Sequence, residues 1–334
     1  MKVLAIQSKF GLDHLAFEDR PDPVPGSGQV LVRVQAGSLN YRDLLIARGM
    51  YNPKLAFPRV LGSDGAGDVV AAGSGVQKFK VGDRVANCFM PQWHGGPLTE
   101  SAARSTLGSE KDGLFAELVV FDEESLVTIP AGLSFEEAAT LPCAAVTAWN
   151  ALRGADCGPG KSVLLQGTGG VSIFALQFAK ALGARVLITS SHDDKLARAL
   201  ALGADAGRNH RTNPDWEKWA REQTGGTGVD IVIEVGGAGT LDRSLKAVRH
   251  GGHIALIGVL AGPGAFNPVA ILMKAVRVQG VFVGSRAMFE EMNAFITEKN
   301  LKPVIDHVFP FADAPAAFRH LEAGAHFGKV VLRM

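Results

Sequence analysis

The sequence predicts an α/β protein whose central part is a doubly wound parallel sheet. An apolar strand at 163–165 runs into a glycine-rich turn, and an amphipathic helix begins directly after it. Apolar strands and helices then alternate as far as residue 283. Such alternation produces parallel strands with helices on both faces of the sheet. The strands are nearly continuous apolar runs, as a sheet covered on both faces requires.

The glycine-rich turn carries Gly167, Gly169 and Gly170, and Ser172 stands where a third glycine of the G-x-G-x-x-G spacing is expected. Small residues let the backbone approach a pyrophosphate, and the N-terminus of the following helix offers free N–H groups. An α/β domain whose turn merely packs tightly is the alternative. The complete strand–helix–strand unit that follows favours a dinucleotide site.

The elements of the central part follow in order. We predict a helix from Ser172 to Leu182 that ends at Gly183, and then a strand over 184–189. Asp193 is expected to cap the next helix, which ends at Gly203. The remaining predicted elements are a strand over 229–235, a helix over 240–249, a strand over 253–259, a helix over 268–275 and a strand over 278–283.

The flanking parts have a different pattern. Short strands, such as 30–34 and 67–71, alternate with Gly, Pro and Asp turns over the first part of the chain, which is typical of a barrel-like all-β domain. After Arg286 we predict a helix from Met288 to Asn300 and two strands. The central sheet is therefore expected to be inserted into a discontinuous domain, with boundaries at 1–145, 146–285 and 286–334.

Composition narrows the class of protein. The chain has 334 residues and a net charge of +1, which gives no electrostatic footprint for a nucleic-acid partner. No apolar run approaches the roughly 20 residues of a membrane span, and the first residues are expected to form a strand and not a signal peptide. Three scattered cysteines indicate a reducing compartment without a disulfide framework. We therefore expect a cytoplasmic protein that acts on a small molecule.

Six segments in the same order resemble the medium-chain dehydrogenase/reductase superfamily, and within it the zinc-free quinone oxidoreductase-like branch. These segments are 36–43, 61–67, 81–85, 138–143, 147–149 and the glycine turn. The resemblance implies a GroES-like, β-rich catalytic domain around a Rossmann domain.

The chain departs from the zinc enzymes of this superfamily at their metal ligands. Asn40 stands where those enzymes have a Cys, and Ser63-Asp64 stands where they have a His-Glu pair. Cys143 matches their third ligand, but a catalytic zinc needs three protein ligands. Their structural zinc needs four cysteines, and only Cys88 occurs between residues 88 and 115. We therefore expect no metal, and we expect Cys143 to be a small buried side chain.

The resemblance also bears on the cofactor. Ser190 stands where NAD-selecting members have an acidic residue, and Ser191 follows it. Lys195, His210 and Arg211 lie nearby in sequence, which suits the 2′-phosphate of NADPH. The alternative for Lys195 is an ordinary exposed helix lysine. Further cofactor contacts implied by the resemblance are Thr147, Gly167, Gly169, Gly170, Val171, Val235, Gly236, Ile257, Val259, Phe282, Val283, Gly284 and Lys329.

Without a metal, no Lewis acid activates a plain alcohol. Quinones and α,β-unsaturated carbonyls need less activation, because negative charge delocalises into a phenolate or enolate. Asn40, Tyr41 and Tyr51 are the candidate hydrogen-bond donors to that charge. We expect an NADPH-dependent quinone or enone oxidoreductase. The alternatives are a zinc-independent alcohol or aldehyde oxidoreductase and a non-catalytic NADPH-binding protein.

The strand over 278–283 is apolar, and the resemblance places it at the edge of the Rossmann sheet. An open apolar edge promotes aggregation, so pairing with its twin across a two-fold axis is expected. The sequence therefore predicts a homodimer.

Overall fold

The computed structural model describes residues 1–258, 264, 265 and 267–334. The chain divides into two compact units. One consists of Met1–Val146 together with Gly284–Met334, and the other of Thr147–Val283. Among the described residues, no helix combines the length and the apolar character needed to cross a membrane.

The first unit is rich in antiparallel strands. Its strands are β1 (Lys2–Ile6), β2 (Leu15–Asp19), β3 (Gln29–Leu39), β4 (Arg59–Val60), β5 (Asp64–Ala72), β6 (Arg84–Asn87), β7 (Leu118–Asp122) and β8 (Leu126–Thr128), and two late strands that join them are β15 (Ile305–Pro310) and β16 (Lys329–Arg333). Within the described residues the larger sheet has the order β15-β16-β3-β5-β6-β8, and β7 pairs with β3. The long strand β3 therefore pairs with β5 and β7 from the first segment of this unit and with β16 near the end of the chain.

Helices cover the edges of this unit. They are α1 (Tyr41–Ala47), α2 (Glu100–Ala103), α3 (Phe135–Ala139), α10 (Arg286–Glu298) and α11 (Ala314–Glu322). A π-helical segment over Leu141–Ala145 follows α3. The core includes Phe115 and Phe318, whose rings meet edge to face at 6.3 Å. Helix α1 begins directly after β3, so the residues at this junction are held by both elements.

The second unit is a parallel sheet with helices. Its strands are β9 (Ser162–Leu165), β10 (Arg185–Ser190), β11 (Ala206–Asn209), β12 (Val229–Glu234), β13 (Val248–Leu256) and β14 (Arg277–Gly280), in the order β11-β10-β9-β12-β13-β14. Its helices are α5 (Gly170–Ala181), α6 (Asp193–Ala201), α7 (Trp216–Glu222), α8 (Leu241–Ala247) and α9 (Val269–Lys274), while α4 (Val146–Gly154) starts at the unit boundary. The recorded pairings within this sheet are parallel, as the alternation of elements predicts.

The α/β class and its two-part architecture are confirmed, but several element boundaries were wrong. The strand predicted over 278–283 is only β14, because Val283 adopts a left-handed φ of 55° that no extended strand contains. His192, and not Asp193, is the N-cap of α6. Strand β11 and helix α7 were not predicted, because their polar and aromatic residues hide the usual periodicity. Val259, a predicted cofactor contact, lies outside the described residues.

Candidate functional site

The glycine turn of the second unit has a geometry that only glycine adopts easily. Gly167 follows β9 with a φ of 71°, a value that strains any residue with a Cβ. Gly169 is the N-cap of α5 and has no side chain to satisfy the first N–H groups of the helix. The turn therefore leaves backbone donors and the positive end of a twelve-residue helix for an anion. Gly170 and Val171, both partly exposed, form the first turn of that helix.

A buried polar network fixes the loop after β12. The carboxylate of Glu234 is fully buried and accepts hydrogen bonds from the N–H groups of Gly236 and Gly237, at 2.8 and 3.0 Å. Gln166 Nε2 donates to Glu234 Oε2 at 2.7 Å. Gln166 Oε1 accepts from the N–H of Val235 at 3.3 Å. This network therefore connects two loops in which cofactor contacts are predicted. They are the glycine turn at 167–171 and the loop at 235–236.

Sequence reasoning missed Glu234 and Gln166 as members of this site. The available signal was a charged residue at the end of an otherwise apolar strand. Burial without partners is costly for a carboxylate, so such a residue predicts a set of donors around it. Here the donors include the N–H groups of Gly236 and Gly237, in the loop that follows β12.

Ser190 ends β10 and is buried, with its Oγ 3.4 Å from Thr168 Oγ1 and 3.4 Å from the backbone nitrogen of His192, which donates to it. The hydroxyl of Ser191 lies 2.8 Å from Nδ1 of His192. Lys195 is only 6% exposed, so its interpretation as an ordinary surface lysine was wrong. The end of β10 therefore presents hydroxyl groups and no carboxylate from its own strand.

Positive charges gather beyond the end of β11. His210 and Arg211 are both exposed there. Partial burial lowers the pKa of His210, and the charges of Arg211, Arg243 and His192 lower it further. The permanent charges of Arg211 and Arg243 make the potential around His210 positive. This surface is suited to a phosphate.

One carboxylate near this surface, that of Asp193, accepts a hydrogen bond from a neighbouring side chain. Asp193 Oδ1 accepts a hydrogen bond from Asn209 Nδ2 at 2.8 Å. Asn209 Oδ1 in turn accepts from the N–H of Arg211 at 3.0 Å. Asn209 therefore links the first turn of α6 to the loop that carries the cations.

The residues expected around the nicotinamide are found in both units. Thr147 is buried, Ile257 is partly exposed, and Phe282 is exposed. The carbonyl of Val283 accepts a hydrogen bond of 2.7 Å from Asn150 Nδ2, which holds the left-handed backbone at that residue. Gly284 lies at the start of the second segment of the first unit, where a Cβ would come within 2.6 Å of Val146.

A buried polar cluster occupies the first unit at the β3–α1 junction. Asn40 caps α1, and its backbone N–H donates to Asp43 Oδ2 at 2.8 Å. Its side-chain Oδ1 accepts a hydrogen bond from the ammonium of Lys329, and its Nδ2 lies 3.4 Å from Ser63 Oγ. Ser63 Oγ donates to Asp64 Oδ1 at 2.8 Å.

Cys143 completes the cluster through its backbone, because its N–H donates to Asp64 Oδ2 at 3.0 Å. The structure thus brings together Asn40, Ser63, Asp64 and Cys143, the positions that match the metal ligands of zinc-dependent relatives. Lys329, in β16, adds a buried cation to them.

Burial governs the titration of this cluster. It raises the pKa of Asp64, while the charge of Lys329 and hydrogen bonds from Asn40 and Ser63 oppose the rise. Burial also raises the pKa of Asp43 to about 6, against the charges of Arg42 and Lys329. The pKa of the Cys143 thiol is raised by burial and by the neighbouring charge of Asp64.

These residues do not fit a zinc ion. Zinc binds thiolate, imidazole and carboxylate, and an amide and a hydroxyl stand at two of the matched positions. The ammonium of Lys329, bonded to Asn40, would repel a second cation. Within the described residues, no group of three or more His, Cys, Asp and Glu side chains has the geometry of a metal site.

Tyr41 and Tyr51 are 39% and 38% exposed. Tyr41 is the first residue of α1, next to the polar cluster in sequence. The ring of Tyr51 packs against the guanidinium of Arg42, which itself lies in the first turn of α1. Both tyrosines therefore belong to the surroundings of α1, and both hydroxyls are in exposed side chains.

Two family models match the chain. Residues 26–131 match the alcohol dehydrogenase GroES-like domain, and residues 170–298 match the zinc-binding dehydrogenase model. A zinc-type alcohol dehydrogenase-like protein of Schizosaccharomyces pombe is 44% identical, over 97% of this chain and 96% of the relative. An acryloyl-coenzyme A reductase of Metallosphaera sedula is 32% identical, over 93% of this chain and 94% of that protein.

Solved structures agree in fold over the whole chain. A Sinorhizobium meliloti protein assigned as an alcohol dehydrogenase superposes with a TM-score of 0.90 at 42% identity, covering 100% of this chain and 99% of its own. An NAD-dependent alcohol dehydrogenase gives 0.90 at 36% identity, with complete coverage of both chains at 100%. A quinone oxidoreductase of Pseudomonas syringae gives 0.84 at 31% identity, covering 100% and 99%.

The GroES-like unit, the parallel dinucleotide-type sheet and these relatives lead to one conclusion. The chain is an oxidoreductase-type member of the medium-chain dehydrogenase/reductase superfamily.

Proposed function

We propose that the protein is a zinc-independent, NADPH-dependent oxidoreductase that reduces quinones or α,β-unsaturated carbonyls. The observation that carries this proposal is the buried cluster of the first unit. An amide and a hydroxyl stand at two of the metal-ligand positions, and an ammonium contacts that amide. Such a cluster suits acceptors that need only hydrogen bonds and charge, and not a Lewis acid.

A bound nicotinamide nucleotide would supply the hydride. The glycine turn and the N-terminus of α5 would hold its pyrophosphate, and the network of Gln166 and Glu234 would keep the loop at 235–236 in place. Tyr41, Tyr51 and the buried cluster supply polar hydrogens in the first unit. On a conjugated acceptor such donors stabilise the negative charge that develops on oxygen.

The preference for NADPH rests on the end of β10 and the loop after β11. Ser190 offers a hydroxyl where a carboxylate would bind the ribose hydroxyls of NAD. Arg211 and Arg243 create the positive surface that a 2′-phosphate requires. One structural relative is named as NAD-dependent, so this preference has to be measured on this chain.

The relatives support two substrate classes. The Pseudomonas syringae quinone oxidoreductase and the Metallosphaera sedula acryloyl-coenzyme A reductase act, by their names, on conjugated acceptors. The Schizosaccharomyces pombe and Sinorhizobium meliloti proteins carry alcohol dehydrogenase names. A zinc-independent alcohol or aldehyde oxidoreductase is therefore the second candidate function.

A panel of reductions tests the proposal. NADPH oxidation is measured with benzoquinones, naphthoquinones, linear and cyclic enones, and saturated aldehydes, and NADP⁺ reduction is measured with simple alcohols. We expect turnover with quinones or enones and little with the alcohols. Efficient alcohol oxidation with no reaction on conjugated acceptors would replace the proposal by the second candidate. Tight NADPH binding without turnover on the whole panel would identify a binding protein.

A further inference from the structure

Lys329 is a buried cation within the polar cluster at the β3–α1 junction. It is 3% exposed and lies at the start of β16. Its Nζ donates to the backbone carbonyl of Leu39 at 2.7 Å and to Asn40 Oδ1. The resemblance to the superfamily assigns this residue to the cofactor, but these two bonds tie it to the β3–α1 junction.

The hydrogen bonds within the cluster show which donor groups could still bind a ligand. An ammonium only donates, so the Asn40 atom that faces Lys329 is the carboxamide oxygen. The Asn40 nitrogen then faces Ser63 at 3.4 Å, and hydrogen bonding from Asn40 also stabilises the Asp64 carboxylate. The side chain of Asn40 thus links the Lys329 ammonium to Ser63, whose hydroxyl donates to the Asp64 carboxylate.

The ammonium has three N–H groups, and within the described residues two of them have the partners just named. One N–H is left on a group that keeps a full positive charge. Hydrogen bonds to charged groups are roughly twice as strong as neutral ones. At this junction Lys329 is therefore a stronger donor to a developing anion than the Asn40 amide.

We propose that Lys329 is the electrophilic group of the site, and that its remaining N–H binds the oxygen of the acceptor as that oxygen becomes negative. This inference rests on the proposed function. A hydride would pass from the reduced nicotinamide to the acceptor: a C–H bond of the dihydropyridine breaks, a new C–H bond forms on the β-carbon of an enone or a new O–H bond on one quinone oxygen, and the acceptor is reduced by two electrons while the nicotinamide is oxidised. The resulting enolate or hydroquinone anion is stabilised by the ammonium and takes its proton from water. Lys329 keeps its own proton throughout.

A product analogue tests this without turnover. 4-Nitrophenol resembles a reduced acceptor, and its visible absorbance distinguishes the phenolate from the phenol. We expect the complex of the wild-type chain with NADP⁺ to bind the phenolate in preference to the phenol. Lys329→Gln keeps two N–H donors and removes the charge, so phenolate affinity should fall about tenfold or more. NADP⁺ affinity, measured by calorimetry without the phenol, should change little.

Loss of Lys329 alone leaves the buried Asp64 without a neighbouring cation, and the single variant could therefore fail to fold. A second variant keeps the test decisive in that case. Lys329→Met with Asp64→Asn removes both charges together. We expect this double variant to fold and to bind the phenolate as weakly as Lys329→Gln. Wild-type phenolate affinity in either variant, or a wild-type chain that prefers the neutral phenol, would overturn the inference.

A series of quinones separates catalysis from a merely structural role. If the ammonium stabilises developing charge, the loss of kcat/KM in Lys329→Gln should grow as the acceptor becomes harder to reduce. An equal loss for every quinone would assign Lys329 a structural role only. Should the wild-type chain reduce no acceptor at all, the proposed function fails, and the phenolate titration still decides whether Lys329 is an anion-binding group.

Discussion

The guanidinium carbon of Arg42 lies 4.7 Å from the centre of the Tyr51 ring. Its other ring neighbour is Phe89, at 4.9 Å, and Nη1 donates to the carbonyl of Leu107 at 2.8 Å. Such cation–π contacts depend on the face of the ring and not on its hydroxyl. The position of the Tyr51 ring and the chemistry of its hydroxyl can therefore be tested separately.

Tyr51→Phe keeps the ring against Arg42 and removes only the hydroxyl. If that hydroxyl donates to the acceptor oxygen, kcat should fall about tenfold to a hundredfold, less than for a fully buried oxyanion donor, because the side chain is partly wet. NADPH affinity should be unchanged. Tyr41→Phe, on a tyrosine of similar exposure, tests the other candidate hydroxyl in the same way. Unchanged turnover in Tyr51→Phe would reduce Tyr51 to a packing role.

Elemental analysis of the purified protein should find no stoichiometric zinc, and chelators should leave the activity unchanged. The physical reason is the donor set, which places an amide and a hydroxyl at two of the matched ligand positions, beside an ammonium. One zinc per chain that is removed together with the activity would contradict both this prediction and the proposed function.

NADPH should bind more tightly than NADH. Arg211→Ala and Lys195→Ala should each weaken NADPH by about tenfold to a hundredfold, since a charge-assisted contact contributes roughly 1.5–3 kcal/mol. NADH affinity should change much less. Lys161→Ala removes the same charge just before β9, at the amino-terminal end of the strands and away from the loops after β10 and β11, and serves as the control. Equal binding curves for both nucleotides in the wild-type chain would refute the preference.

The buried Asp43 should make stability fall as pH rises. Its pKa is about 6 in the folded chain, whereas the ordinary pKa of an aspartate is 3.8, so the folded state holds the proton more tightly. The contribution is complete below pH 4 and is lost as pH rises through 6, and a shift of about 2 units corresponds to roughly 3 kcal/mol. Asp43→Asn should remove this part of the slope. Denaturant unfolding at several pH values measures the difference between the two chains, and parallel stability curves would be the contrary result.

We also expect a homodimer. Strand β14 ends the order of strands in its sheet, and α9, just before it in the chain, exposes Val269, Leu272 and Met273. Light scattering at micromolar concentration should give twice the chain mass. Leu272→Glu with Met273→Glu should shift the protein toward monomer, whereas Leu200→Glu, on an exposed leucine of α6, should not. A wild-type monomer would contradict the prediction.

Sequence reasoning located the two units because strong periodicity marks buried strands and amphipathic helices, as at β9 and α5. It failed where a single residue overrides the pattern. The apolar run that contains β14 looks like one long strand, yet the left-handed backbone of Val283 and its bond from Asn150 are set by tertiary contacts.

The same limit applies to the candidate site. The matched ligand positions were evident in the sequence, and the structure brings all of them together. The partner of Asn40 was not evident, because Lys329 is 289 residues away along the chain. Only the antiparallel pairing of β16 with β3 brings the two together.

Asn40 closes the first turn of α1 with its backbone and accepts from Lys329 with its side chain. A single change of Asn40 to cysteine would therefore keep the backbone bonds of the cap, but it would remove the side-chain oxygen that accepts from the buried Lys329 ammonium. It would also supply only one of the ligands that a metal needs. The change of Asn40 toward a metal ligand is therefore unfavourable while Lys329 keeps its charge, so the two positions would have to change together.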